Sequence, residues 1–118
     1  MKKMYYLSTC NTCMRIINEL NLSDEFILQD IKTESITEEQ LEEMKNLTDS
    51  YESLFSKRAR LYKELGLKEK NLSDVDYKKY ILEHYTFLKR PVTIINNQIF
   101  IGNSKKVVEA TKKAIHEQ

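Results

Sequence analysis

The sequence predicts an α/β protein, a mixed β-sheet of about four strands with flanking helices and an inserted helical segment. Two glycines and one proline in 118 residues are too few for a turn-rich all-β or collagen-like chain. Strand-sized apolar runs lie near both ends, and between them apolar residues recur at helical spacing. With 41% hydrophobic and 31% charged residues, the chain has enough apolar side chains for a modest core and too many for disorder. The length suits a single domain over residues 1–118.

Met4-Tyr5-Tyr6-Leu7 has the composition of a buried strand. It runs into Ser8-Thr9-Cys10-Asn11-Thr12, small polar residues that favour turns and helix caps, so a helix should begin there. Ile16, Ile17 and Leu20 continue it at helical spacing, and Asn21 is its stop. Phe26-Ile27-Leu28 reads as a second strand with Asp30 at its polar end. If parallel to the first, it requires a right-handed crossover.

Thr37 and Gln40 form a capping-box pattern ahead of Leu41 and Met44. A second helix is expected over Ser53 to Leu65, with Leu54, Phe55, Leu61, Tyr62 and Leu65 as its apolar stripe and Gly66 as its stop. A third should follow Ser73-Asp74, with Tyr77, Ile81 and Leu82 inward. Residues from about 35 to 88 therefore read as a helical insertion within the one domain. Tyr51, Tyr62, Tyr77, Tyr80 and Tyr85 are expected to pack rather than to form a binding platform.

The pattern then changes to a hairpin. Val92–Ile95 and Gln98–Ile101 flank Asn96-Asn97, residues that tolerate positive φ, and Pro91 sits at the first residue of the leading hairpin strand, where a missing N–H costs least. Gly102-Asn103-Ser104 turns into a last helix carrying Val107, Val108, Ala110, Thr111 and Ile115 in register. The order of strand, helix, strand, helices, strand, strand, helix is that of a thioredoxin-like fold with helices inserted between its halves.

Nineteen Lys and Arg against 18 Asp and Glu leave a net charge of +1. No global field favours nucleic acid or anionic lipid, so direct nucleic-acid and membrane partners are not expected. Met1-Lys2-Lys3 leads into a strand-sized segment rather than a signal-peptide stretch, and a cytoplasmic location is expected.

The two cysteines, Cys10 and Cys13, stand where the first strand turns into the first helix. Unpaired N–H groups and the positive end of the helix dipole favour a thiolate at Cys10. Free cysteine titrates near about 8.5, and helix N-termini in Cys-x-x-Cys motifs lower this by roughly one to five units. Cys10 is thus the candidate nucleophile, and Cys13, one helical turn on, the candidate resolving thiol. Two small core hydrophobes would not account for the pair falling at this junction. Zinc usually needs four ligands, and His84 and His116 lack paired spacing, so no metal is expected.

Cys10-Asn11-Thr12-Cys13 after the first strand, Tyr62-Lys63-Glu64-Leu65-Gly66-Leu67 closing an inserted helix, and Lys89-Arg90-Pro91-Val92 before the hairpin resemble the arsenate reductase family of the ArsC and Spx type. The likeness covers nearly the whole chain. It implies a thioredoxin-like sheet with a helical insertion, and a cis Arg90-Pro91 bond facing the cysteines. It also implies that Cys10 attacks an oxyanion such as arsenate, or a disulfide, with Arg90 holding the anionic oxygens. Asn11 and Thr12, beside the nucleophile, are further candidate substrate-binding residues.

Ser56 and Gly102-Asn103-Ser104 stand where the family's reductases carry arginines, and Tyr6 where some carry a histidine. Arg58 and Arg60 lie close to the first of these positions and are candidate substitutes, although Lys57, Arg58, Arg60 and Lys63 also read as a solvated helix face. No bound cofactor is implied, and electrons would come from glutathione, glutaredoxin or thioredoxin. The other function the resemblance offers is an Spx-like regulator, in which the cysteine disulfide is a switch and the partner is RNA polymerase. Ser50 stands where those regulators carry a glycine at the polymerase contact, whereas Arg58 matches one of their arginines.

Overall fold

The Met-Tyr-Tyr-Leu run supplies an inner strand of a four-stranded sheet in the computed structural model, which describes residues 1–117. Strand β1 (Lys2–Tyr6) pairs in parallel with β2 (Ile27–Asp30), Tyr6 lying opposite Asp30. On its other side it pairs antiparallel with β3 (Val92–Ile95), Tyr5 opposite Val92, and β3 pairs antiparallel with β4 (Gln98–Ile101). The order β2-β1-β3-β4 is the thioredoxin-like mixed sheet expected from the element order. Every residue of β3 is buried, as a strand covered on both faces requires. At the hairpin turn Asn96 takes the positive φ, 56°, which an asparagine accepts at modest cost.

By its contacts the chain divides into two compact units, one made of residues 1–34 with those from 90 onward, the other of Ser35–Lys89. In the first, α1 (Asn11–Leu20) and α5 (Lys105–His116) flank the sheet. Met4 of β1, Ile16 and Leu20 of α1 and Val108 of α5 form a buried cluster, with Tyr6, Ile17, Leu22 and Ile115 packed around it. Burying such side chains stabilises the fold by about 1.5–3 kcal/mol each before entropy is counted. Helix α1 stops at Asn21, whose φ is 49°. Ser104 caps α5 through the Val107 N–H, and the buried face of α5 carries Val108, Thr111 and Ala114. Ala110, expected in that register, is exposed.

Edge strand β2 is less apolar in its setting than in its composition. Ile27 and Leu28 are 60% and 45% exposed, although neighbouring strand residues point to opposite faces. The buried residue here is Gln29, whose side-chain amide donates to the Glu34 carbonyl at 3.1 Å.

In the second unit, α2 (Glu38–Asn46) begins at Thr37 with both bonds of the capping box formed, and buries Leu41 and Met44. Helix α4 (Asp74–Glu83) begins at Ser73, where Asp76 completes a second capping box, and buries Tyr77 and Ile81, with Leu82 half-buried. The continuous helix expected over Ser53 to Leu65 does not form. A 3-10 turn at Glu52–Leu54 gives way to an extended Phe55, and α3 is only Arg60–Glu64. Phe55 bridges antiparallel to Leu88, the Ser56 N–H donates to the Phe87 carbonyl at 2.7 Å, and the Lys89 N–H to the Leu54 carbonyl at 2.8 Å. These pairings replace intrahelical bonds at the positions where the apolar period alone would continue the helix.

Phe55 then centres an aromatic cluster, with ring centroids 5.8 Å from Tyr62, 4.8 Å from Tyr77 and 5.2 Å from Phe87. Tyr80 packs on Phe87 and Tyr85 stacks on His84, so four of the expected packing tyrosines meet aromatic rings. Gly66 ends α3 at φ 64°, a conformation that L side chains adopt with strain. Among the described residues no helix is long and apolar enough to cross a membrane.

Candidate active site

Strand β1 ends at Tyr6, and Leu7 to Cys10 make a turn that carries the chain into α1. The Cys10 N–H closes that turn by donating to the Leu7 carbonyl at 3.0 Å. This leaves Cys10 in extended backbone, φ −96° and ψ 109°, at the N-cap of α1. The sulfur therefore sits where the first helical N–H groups have no intrahelical acceptor. It makes no short cap hydrogen bond, but the Cys13 N–H reaches it closely enough to favour the thiolate. Cys10 is partly exposed and Cys13 fully buried, and both are free thiols.

The surroundings push the two sulfurs in opposite directions. Partial burial alone pushes the Cys10 thiol up, but the Cys13 N–H, the Cys13 thiol and the charge and hydrogen bond of Arg90 together outweigh it, and the group lies below its ordinary value. Burial pushes Cys13 up to about 11; the Leu7 backbone hydrogen bond and the Arg90 charge oppose this, while the neighbouring Cys10 adds to it. Cys10 is thus the first of the two to ionise, with the Cys13 thiol as a donor to it.

Arg90 comes to this site from the segment before β3, where the Arg90-Pro91 peptide is cis. Pro91 is buried, and its carbonyl accepts the Gly102 N–H at 2.9 Å, with Gly102 at φ 97°. Since Tyr5 faces Val92 across the sheet, Arg90 and Pro91 enter at the end where β1 delivers Cys10. Asn11 is exposed and Thr12 half-buried, both in the first turn of α1. Cys10, Asn11, Thr12, Cys13, Arg90 and Pro91 all belong to the first unit. Arg58 and Arg60 belong to the second, exposed just before and at the start of α3.

Tyr6, where some relatives of the resembled family carry a histidine, packs against the cluster between β1, α1 and α5. Ser104, at one of the absent-arginine positions, is a helix cap. His84 caps a 3-10 turn, its Nδ1 accepting the Thr86 N–H at 3.0 Å. Among the described residues no three His, Cys, Asp or Glu side chains gather as a group able to hold a metal ion.

Two contributions to the site leave no side-chain motif to read. One is the Leu7 backbone, which bonds the Cys10 amide and the Cys13 sulfur. The other is Asp30 at the end of β2, whose Oδ1 accepts the Ser8 N–H and the Lys32 N–H, each at 3.2 Å.

No curated protein sequence matches the chain. Among solved structures, a protein named YFFB is 16% identical, with a TM-score of 0.79 over 98% of this chain and 99% of that one. An arsenate reductase from Vibrio cholerae is 24% identical, TM-score 0.71, over 92% and 95% of the two chains. An arsenate reductase (ArsC) related protein from Brucella melitensis is 18% identical, TM-score 0.70, over 92% of each. These likenesses establish the shared fold. The cysteine pair at the strand-to-helix junction and the arginine-proline pair ahead of the hairpin both fall within residues 5–111, the span matched by the ArsC family model, and the chain belongs to the ArsC family.

Proposed function

We propose that this ArsC-family protein is a thiol-dependent reductase that uses Cys10 as nucleophile and Cys13 as resolving thiol. The observation that carries the reading is the lowered Cys10 thiol lying against a buried Cys13 held up to about 11. One sulfur is ready to attack, and the other keeps its proton until the first is consumed.

With arsenate, the Cys10 thiolate forms a sulfur–arsenic bond and an arsenic oxygen leaves as hydroxide or water. Cys13 then loses its proton and attacks the Cys10 sulfur. The sulfur–arsenic bond breaks with its electron pair on arsenic, releasing arsenite and leaving a Cys10–Cys13 disulfide. With a disulfide substrate, Cys10 displaces one thiolate and Cys13 displaces the other. Either way two electrons pass from the cysteines, and glutathione, glutaredoxin or thioredoxin returns them. Arg90 suits both roles at Cys10, since its guanidinium can pair with a tetrahedral oxyanion while its charge favours the thiolate.

Steady-state turnover of arsenate and of a small disulfide, each with a glutathione–glutaredoxin and a thioredoxin system, tests the reading. Turnover of at least one substrate is expected, lost in Cys10→Ser, with a mixed disulfide trapped on Cys10 in Cys13→Ser. No turnover with any pairing would overturn it, and tight binding to RNA polymerase alongside would point to a redox-switched regulator.

A further inference from the structure

We propose that Asp30 is a positioning residue for Cys10, acting through a single peptide plane. The Leu7 carbonyl and the Ser8 N–H belong to one planar peptide group. At one end, the carbonyl accepts the Cys10 N–H at 3.0 Å. At the other, the Ser8 N–H donates to Asp30 Oδ1 at 3.2 Å. Rotation of that plane would disturb both bonds together, so the carboxylate that fixes one end sets the direction of the other. The same Leu7 residue supplies the backbone hydrogen bond to Cys13.

Asp30 is itself well held. It lies opposite Tyr6 in the parallel ladder, and the Ile31 N–H beside it donates to the Tyr6 carbonyl at 2.9 Å. Its Oδ1 also takes the Lys32 N–H at 3.2 Å, and its own carbonyl takes the Glu34 N–H at 2.8 Å. The turn after β2 is thereby tied to the turn before α1. Contacts from Ser8, the side chain foremost, followed by its N–H and those of Lys32, keep the Asp30 carboxyl below its usual range despite some desolvation, so the clamp is ionised at neutral pH.

The groups that act most strongly on the Cys10 sulfur are Cys13 and Arg90. A direct charge effect would also have the opposite sign, because a nearby carboxylate disfavours a thiolate. Positioning and direct electrostatics therefore predict opposite outcomes when the side chain is removed.

The inference rests on Cys10 being the reactive thiol, and its test reads that thiol without relying on turnover. Rates of Cys10 alkylation by iodoacetamide, followed from pH 5 to 10, are compared for the native chain, Asp30→Ala and Asp30→Asn. In Asp30→Ala the profile should move to higher pH and the rate at pH 6 fall about three- to ten-fold, the thiolate lost for roughly half to one unit of upward movement. Asp30→Asn keeps the accepting oxygen and should return the profile close to native. Unchanged profiles in folded variants, or faster alkylation in both, would overturn the proposal.

Should Asp30→Ala fail to fold, the native chain still decides. The Ser8 and Cys10 backbone amide resonances should titrate together, with the midpoint of the Asp30 carboxyl. A Cys10 amide indifferent to that titration would also overturn the proposal. If the native profile itself shows no lowered thiol, it is the nucleophile assignment that fails instead.

Discussion

Burial of Cys13 and exposure of Cys10 set up a reactivity difference whose size follows from the site. A thiol at about 11 is ionised in about one molecule in ten thousand at pH 7, whereas one below 9.0 is ionised in more than about one in a hundred. The ratio of thiolates exceeds about a hundred. Thiolates of lower pKa are intrinsically poorer nucleophiles, with a Brønsted slope of about 0.4–0.5, so two units of difference take back about tenfold. At least about tenfold faster alkylation of Cys10 remains, and the complete burial of Cys13 widens it. Iodoacetamide labelling at pH 7, quenched over time and read by peptide mass spectrometry, measures both rates in one sample. Cys13 should continue to accelerate up to about pH 11 after Cys10 has levelled off. In Cys10→Ser the Cys13 profile should shift to lower pH, because the neighbouring sulfur is one cause of its elevation, but burial, the larger cause, stays. Equal rates, or Cys13 reacting first, would refute the division of labour between the two sulfurs.

Replacing Arg90 with Ala removes a charge and a hydrogen bond that favour the Cys10 thiolate. The thiol pH profile should shift upward, and the KM for an anionic substrate should rise by about tenfold or more, as expected for loss of a charge-assisted contact; an unchanged KM would exclude Arg90 from anion binding. Phe55→Ala empties the centre of an aromatic cluster at a residue 1% exposed. Urea unfolding should show a loss of about 3–5 kcal/mol, and a loss below about 1 kcal/mol would mean that the cluster collapses onto the gap.

Much of the architecture is written in local signals. Asn21 ends α1, Thr37 and Gln40 open α2, and Asn96-Asn97 turns the hairpin, each because a backbone demand is met by a nearby side chain. The misread segment is Ser53 to Leu65. There the apolar spacing of Leu54, Phe55 and Leu61 fits a helix, but Phe55 finds Leu88 thirty-three residues away and extends to pair with it. Local apolar spacing carries no trace of a partner so far along the chain. Burial along β2 is equally hidden, because Ile27 and Leu28 look like core residues until the strand is known to be an edge. At the candidate site, the spacing of Cys10 and Cys13 and their place after a strand are visible in the chain. The carbonyl of Leu7 and the carboxylate of Asp30 are not, since one belongs to no side chain and the other arrives through strand pairing.

Ile31, just past its end, gives that outer strand a further significance. Ile27 and Leu28 are exposed and do little to penalise a slip of one residue, so alignment falls to Ile31, 2% exposed and donating its N–H to the Tyr6 carbonyl at 2.9 Å. A slip would turn Asp30 to the opposite side of the sheet and release the Ser8 amide. The accuracy with which an outer strand finds its partner and the readiness of a distant sulfur to lose its proton are, in this chain, outcomes of the same alignment.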